Sequence, residues 1–264
     1  MVSERSSQQV FFAMSGLLFA GSAALTIVSS RSMSAMGGMP MGGWTMSMAW
    51  MRMPGETFLG AATSFLGMWV VMMAAMMLPS LVPMLSGYRQ AVSKTSEARL
   101  GVLTALAGLG YFVVWTLCGM AIYPLGMALA EIEMRQAMLA RAVPIADGVV
   151  VVIAGALQFT AWKAHHLARC RQAPARGRTL PADPATAWQQ GICFGLHCGY
   201  SCANLTAILL VVGIMDLRAM VAVTAAITLE RLAPASDRVV EAIGAVTVAA
   251  GMVLIARAGA GVLG

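Results

Sequence analysis

The sequence predicts an all-α fold, namely a polytopic transmembrane helical bundle with six or seven spans. Hydrophobic residues make up 59% of the chain and charged residues only 11%, and the mean hydropathy is +0.78. An ordinary soluble domain contains about 45 to 50% apolar residues, so this composition is typical of an integral membrane protein. Several charge-free runs also reach the ~20 residues that a spanning helix needs, and no strand-like alternation competes with them.

Seven segments are candidates for the spanning helices. Four are charge-free apolar runs of full length, at 10–30, 57–88, 100–130 and 185–215. Three more are shorter or carry one charge, at 142–162, 219–229 and 242–256. About eleven residues at 1.5 Å per residue cover only half of the hydrocarbon, so the segment at 219–229 decides between six spans and seven.

Positive residues predict the orientation of these helices, because short cytoplasmic loops carry an excess of Lys and Arg. The basic loops at 86–99 and 163–186 fall on the same side of the predicted bundle, which we assign to the cytoplasm. Residues 1–30 then form a first transmembrane segment or signal anchor, residues 31–57 an external Met/Gly-rich loop, and residues 58–264 the helical membrane domain. We therefore expect a protein of the bacterial inner (cytoplasmic) membrane, embedded in the lipid bilayer. The net charge of +6 comes largely from these loops and does not indicate nucleic-acid binding.

The external loop and the helix after it are crowded with methionine. Fourteen of the 23 methionines lie between positions 33 and 84. A thioether is a soft, weak ligand that binds Cu(I) or Ag(I) and largely ignores hard cations, although Met also fills irregular gaps in buried helices. Packing suits the helix but not a loop of Gly, Ser and Pro, so the loop favours metal capture. The candidate thioether ligands are Met36, Met39 and Met41 in the loop and Met68, Met72, Met76 and Met77 in the helix.

All three histidines and four of the five cysteines gather around the second basic loop. The candidate ligands are His166, Cys170, Cys193, His197, Cys198 and Cys202. Residues four apart share one face of a helix, and this spacing predicts three two-ligand edges: His166/Cys170, Cys193/His197 and Cys198/Cys202. One helix cannot close a site with all of them, and the spacing leaves open which edges meet. If the fourth helix continues to Cys170, depth favours a meeting of His166 and Cys170 with Cys193 and His197.

Thiolate and imidazole ligands suit Cu(I) or Zn(II) and do not suit Mg or Ca. Copper as Cu(I) is therefore the expected metal, with zinc as the alternative. Cys118, alone in the third predicted helix, is assigned to packing. Glu230 lies near a segment end, where a carboxylate usually reaches water or pairs with an arginine such as Arg231.

Two enzyme classes are excluded by missing motifs. The chain has no Walker-type motif, so no ATPase in it drives metal movement. A thiol oxidoreductase would be expected to carry C-x-x-C pairs, and the sequence contains none. We therefore expect a protein that is not an enzyme.

Four motifs in chain order resemble a known family. They are W-x-x-M-x-x-A-M-M-x-P from Trp69 to Pro79, K-x-x-x-L-x-x-C-R from Lys163 to Arg171, the CGYSCAN segment, and GIMDL-x-x-M followed by Glu230-Arg231. Over about 50–232 the chain resembles the predicted metal-binding integral membrane protein family, domain of unknown function 2182. The resemblance implies metal binding without identifying a reaction. The family usually shows cysteine at the positions of His166 and Ser201, so the histidine keeps a soft-metal ligand and the serine removes one.

The leading hypothesis is an integral membrane soft-metal (copper) binding protein that acts in metal uptake, transfer or cuproenzyme assembly. Its expected partner is a metallochaperone or a membrane cuproenzyme. The alternative is a structural subunit of a larger membrane complex with no metal role of its own. A third hypothesis is a redox protein with His165, His166 or His197 as axial ligands of a cofactor.

Overall fold

The fold is known from a computed structural model, which describes residues 2–37, 39–40, 45–46, 50, 55–92, 95–171, 180–233 and 236–263. Its described part is an all-α bundle, as the sequence predicts. The helices are α1 (Val2–Met36), α2 (Phe58–Ala91), α3 (Glu97–Arg135), α4 (Ala137–Ala156), α5 (Ala161–Arg171), α6 (Pro184–Val212), α7 (Leu217–Leu232) and α8 (Ser236–Leu263). Two strands of two residues each, β1 (Met39–Pro40) and β2 (Thr45–Met46), pair antiparallel between α1 and α2.

Six of these helices are long and apolar enough to cross a membrane: α1, α2, α3, α4 (with the 3-10 turn after it), α6 and α8. This number agrees with the lower of the two span counts expected. The uncertain segment at 219–229 lies inside α7, which has 16 residues and is not among the six. Helix α7 begins after Asp216, whose carboxylate accepts hydrogen bonds from the N–H groups of Arg218 and Ala219 at 2.8 and 3.0 Å.

The fourth helix does not continue to Cys170, so the condition for a meeting of His166 and Cys170 with Cys193 and His197 is not met. It ends at Ala156, and a 3-10 turn (Leu157–Phe159) follows. Thr160 then adopts an extended conformation, and its hydroxyl oxygen accepts the N–H of Lys163 at 3.3 Å. Because this is the capping geometry that starts a new helix, residues 161–171 form α5 instead of a loop. The change of direction places α5 against α6.

The buried core is centred on α2, α3, α6 and α7. Helix α3 approaches α6 closely at Gly191, where an added Cβ would lie 2.1 Å from the carbonyl oxygen of Ala107. Only glycine allows this spacing, a common device where helices pack tightly in membrane proteins. The close approach brings Tyr111 of α3 beside Cys198 of α6. Helix α1 lies at the edge of the bundle, with little of its surface buried.

Candidate metal centre

Three buried sulfur atoms meet between α2 and α6, and we call Met77, Cys198 and Cys202 the sulfur cluster. The Sγ atoms of Cys198 and Cys202 lie 3.6 Å apart, because the two residues are one helical turn apart on the same face. The Sδ atom of Met77 lies 3.9 Å from Cys198 Sγ. Each of the three side chains is at most 1% exposed, so the cluster is closed to bulk water.

These distances fit a single soft metal ion. Three sulfur atoms around one ion at metal–sulfur bonds of ~2.3 Å lie about 4 Å from one another, close to the separations of 3.6 and 3.9 Å. Within the described residues, no group of three or more His, Cys, Asp or Glu side chains is arranged to hold a metal ion. The third sulfur beside Cys198 and Cys202 is the Met77 thioether, and thioethers select soft ions.

The cluster lies near the middle of α6. Cys198 follows Pro184, the first residue of the helix, by fourteen positions, which is roughly 21 Å along its axis. The hydroxyl oxygen of Tyr111 is 2.9 Å from Cys198 Sγ. On the side of α2, Trp69 is fully buried and donates its indole N–H to the carbonyl oxygen of Trp115 at 2.8 Å. One aromatic side chain of α3, Tyr111, thus contacts the sulfur cluster directly.

Helix α5 brings a fourth sulfur close to the cluster. Cys170, which is 3% exposed, has its Sγ atom 3.5 Å from the hydroxyl oxygen of Ser201. Ser201 precedes Cys202 directly in α6. Burial raises the pKa of the Cys170 thiol. Cys170 thus neighbours the cluster through its contact with Ser201.

Two buried cations surround Ser201. The Lys163 ammonium forms an ion pair with the Glu230 carboxylate at 2.9 Å, and both side chains are at most 2% exposed. It also donates to the carbonyl oxygen of Ser201. The Arg231 guanidinium donates to the hydroxyls of Ser80 and Ser201, each at 3.1 Å. The expectation that Glu230 reaches water or pairs with Arg231 is therefore wrong. The turn after α4 places Lys163 beside Glu230, and the two form a buried ion pair.

A family model described as "PpoB2: Copper chaperone" matches residues 66–254. The chain belongs to this copper chaperone family. The match includes every member of the sulfur cluster and confirms the expected copper-related role. A chaperone family also indicates a non-catalytic role. No curated protein and no solved structure matches the chain.

The histidines of this copper chaperone family member form a second, separate group on the outside of α5 and α6. The ring of His166 lies 6.1 Å from the ring of His197 between centroids. His197 Nδ1 lies 3.4 Å from the sulfur of Cys193, which is exposed. Burial, followed by the nearby His165, lowers the pKa of His166. The structure thus separates His166 from Cys170: the first faces His197, and the second faces Ser201.

The remaining candidate ligands differ in their surroundings. Met72 and Met76 are buried in the core, at 1% and 2% exposure, and Met68 is partly buried beside it. The loop candidates Met36, Met39 and Met41 have side chains outside the described residues. Cys118, assigned to packing, is partly buried against the core.

A cavity of about 390 Å³ lies between α1 and α2. Three methionines line it, Met68, Met72 and Met215, together with the hydroxyl-bearing Thr26, Ser29 and Ser64. Met215 holds α1 in place, because its carbonyl oxygen accepts the Ser30 hydroxyl at 2.6 Å. Sequence reasoning missed Met215 and Arg231 as site residues. Their signal was present in the GIMDL segment and in Glu230-Arg231, which were treated only as marks of resemblance.

Proposed function

We propose that this protein carries Cu(I) as cargo in the sulfur cluster and delivers it for cuproenzyme assembly. The observation that carries the proposal is the meeting of two thiols and one thioether, fully buried, at 3.6 and 3.9 Å from one another. The copper chaperone family of the chain supports the same cargo. Delivery by a chaperone needs a site that holds the ion without performing chemistry on it.

The donor set favours Cu(I) over Zn(II). Structural zinc sites are almost always tetrahedral, with four ligands from Cys, His, Asp or Glu. The described residues do not bring three such side chains together. Cu(I) is a soft ion that accepts thiolate and thioether ligands. Cys198 and Cys202 would bind it as thiolates, with Met77 as the neutral third donor.

The proposed surroundings of the protein are a lipid bilayer. Six helices have the length and apolarity of membrane spans. The exposed surface of these helices is also strongly apolar, with Leu17 at 69%, Leu59 at 72% and Val246 at 70% exposure. Large apolar side chains in such number are costly in water and suit lipid. The bacterial inner membrane, with the Met-rich loop outside, remains the proposed placement.

The methionines supply a route to the cluster. The cavity between α1 and α2 presents Met68, Met72 and Met215, and Met72 is itself buried in the core that contains Met77. Thioethers bind Cu(I) weakly, so an ion can exchange from one to the next. Two thiolates at Cys198 and Cys202 bind it more strongly and hold it. The partner that finally receives the ion is expected to be a membrane cuproenzyme or a metallochaperone.

Copper content tests the proposal directly. The protein is purified in detergent under reducing conditions from cells grown with copper, alongside a Cys198→Ser/Cys202→Ser double variant and a Cys118→Ser control. We expect bound copper in the wild type and the control and a loss of it in the double variant. Cys118 lies in α3, is only partly buried and is not one of the three cluster sulfurs, which makes it a suitable control. Equal copper in all three proteins, or none in any, would refute the proposal.

A further inference from the structure

Arg231 is a buried cation that lacks a carboxylate partner in the described part of the chain. It is 9% exposed, and its guanidinium donates to neutral groups, namely the hydroxyls of Ser80 and Ser201 and the thioether sulfur of Met84. The adjacent Glu230 is occupied by Lys163 and by Gln158, whose amide donates to it at 2.7 Å. A buried charge without a counter-charge is strongly unfavourable. The site around Arg231 therefore calls for an anion.

The groups nearest to Arg231 that can become anionic are thiols. One of its nitrogens bonds to Ser201, which lies directly before Cys202 in α6 and 3.5 Å from Cys170. Cys198 lies one helical turn before Cys202 on the same face of α6, with the two sulfur atoms 3.6 Å apart. Another nitrogen lies 3.8 Å from the sulfur of Met84, which cannot carry charge. A negative charge on Cys198 or Cys202 would therefore compensate Arg231.

The charge balance distinguishes between metal ions. Two thiolates with one monovalent ion carry a net charge of −1, and Arg231 makes the whole neutral. Two thiolates with one divalent ion are already neutral, so Arg231 would remain uncompensated. The Lys163–Glu230 pair is neutral by itself and does not change this balance. The Met77 thioether contributes no charge.

We propose that Arg231 is the counter-ion of a monovalent metal held by the Cys198 and Cys202 thiolates, and that it selects Cu(I) against divalent ions such as Zn(II). This inference rests on the proposed function, since it assumes that the sulfur cluster holds the cargo. Arg231 is a positioning and specificity residue in this scheme. It does not ligate the ion, and it acts through charge and through its hydrogen bond to Ser201.

Binding of Ag(I), used as the soft monovalent probe, and of Zn(II) to purified protein in detergent tests the inference. Arg231→Gln is expected to weaken Ag(I) binding by about 10- to 100-fold, the loss typical for residues that support metal ligands. Zn(II) binding should stay the same or tighten, because its neutral dithiolate needs no cation. Arg231→Lys keeps the charge and should keep the preference for Ag(I).

Arg89→Gln is the matched control. Arg89 is also a buried arginine, at 6% exposure, and its guanidinium donates to the hydroxyls of Ser7 and Thr104, away from the cysteines. This variant should leave the ratio of Ag(I) to Zn(II) affinity unchanged.

A second pair of variants leaves Arg231 in place, in case its removal disturbs folding. Met84→Glu would place a carboxylate beside the guanidinium, whereas Met84→Gln introduces a side chain of the same shape without charge. We expect Met84→Glu, and not Met84→Gln, to lower the ratio of Ag(I) to Zn(II) affinity as Arg231→Gln does. The counter-ion role is overturned if Arg231→Gln and Met84→Glu both leave the ratio of Ag(I) to Zn(II) affinity at the wild-type value. The proposed function fails by a different result, namely wild-type Ag(I) binding in Cys198→Ser/Cys202→Ser.

Discussion

Replacing Lys163 by methionine is expected to destabilise the protein by about 3–5 kcal/mol, the usual cost of breaking a buried ion pair from one side. The full cost applies because the two side chains of the pair are 0% and 2% exposed and their atoms are 2.9 Å apart. In the variant, Glu230 keeps only the hydrogen bond from Gln158, which cannot compensate a buried carboxylate. Lys163 also bonds to Ser201, so α5 should loosen from α6.

A double-mutant cycle separates the pair from its surroundings. Glu230→Gln alone leaves the Lys163 ammonium buried without its counter-charge and should also cost about 3–5 kcal/mol. The double variant Lys163→Met/Glu230→Gln removes both charges, and such neutral replacements are often nearly as stable as the original pair. We therefore expect the double variant to lose much less than the sum of the two single losses.

Unfolding of the purified protein in detergent micelles, followed by circular dichroism against denaturant, measures these differences. Glu131→Gln is the control, since it removes an ion pair with Arg135 whose side chains are 59% and 75% exposed. An exposed pair of this kind contributes at most about 0.5 kcal/mol. Additive losses in the Lys163→Met/Glu230→Gln variant would refute the reasoning, because they would show that the two charges do not depend on each other.

Two further predictions concern metal loading. Ser201→Cys places a second thiol beside Cys170, because the Cys170 sulfur lies 3.5 Å from the Ser201 hydroxyl oxygen. This variant should bind more Ag(I) at saturation than the wild type, and an unchanged amount of bound Ag(I) would contradict the prediction. Met68→Leu/Met215→Leu removes two of the three thioethers of the cavity and should slow Cu(I) loading from a chromophoric chelator while leaving the final affinity unchanged. Met252→Leu is the control, because this methionine is 58% exposed on α8. Equal Cu(I) loading rates in the wild type, the double variant and this control would argue against the cavity as a route.

The sequence predicted those features of the helices that depend on residues within one segment. Charge-free apolar runs marked four of the six long helices, and the spacing of Cys198 and Cys202 predicted their shared face. The prediction failed at the end of α4, because the apolar segment at 142–162 gives no sign that Thr160 caps a new helix. A hydroxyl cap is a local interaction that composition and periodicity do not register.

The sequence did not predict which residues the charged and sulfur-bearing side chains contact, because these contacts join segments that are far apart in the chain. Glu230 was expected at the surface or beside an arginine, but it lies in the core against Lys163, which is 67 positions earlier in the chain. His166 and Cys170 share one face of α5, yet they contact different residues of α6. Contacts between distant segments depend on how helices cross, and a spacing pattern within one helix does not contain that information.

The sequence by itself determined the helical class, the apolar lengths of the spans and the choice of soft ligands, because these depend on composition and on residues within one or two helical turns. The match to a copper chaperone family confirms the copper-related role. Only the tertiary structure decided which sulfurs share a site and which charge lies beside them. The Met77 thioether of α2 reaches Cys198 of α6, and Arg231 reaches Ser201 from α7, because these three helices pack together in one buried core.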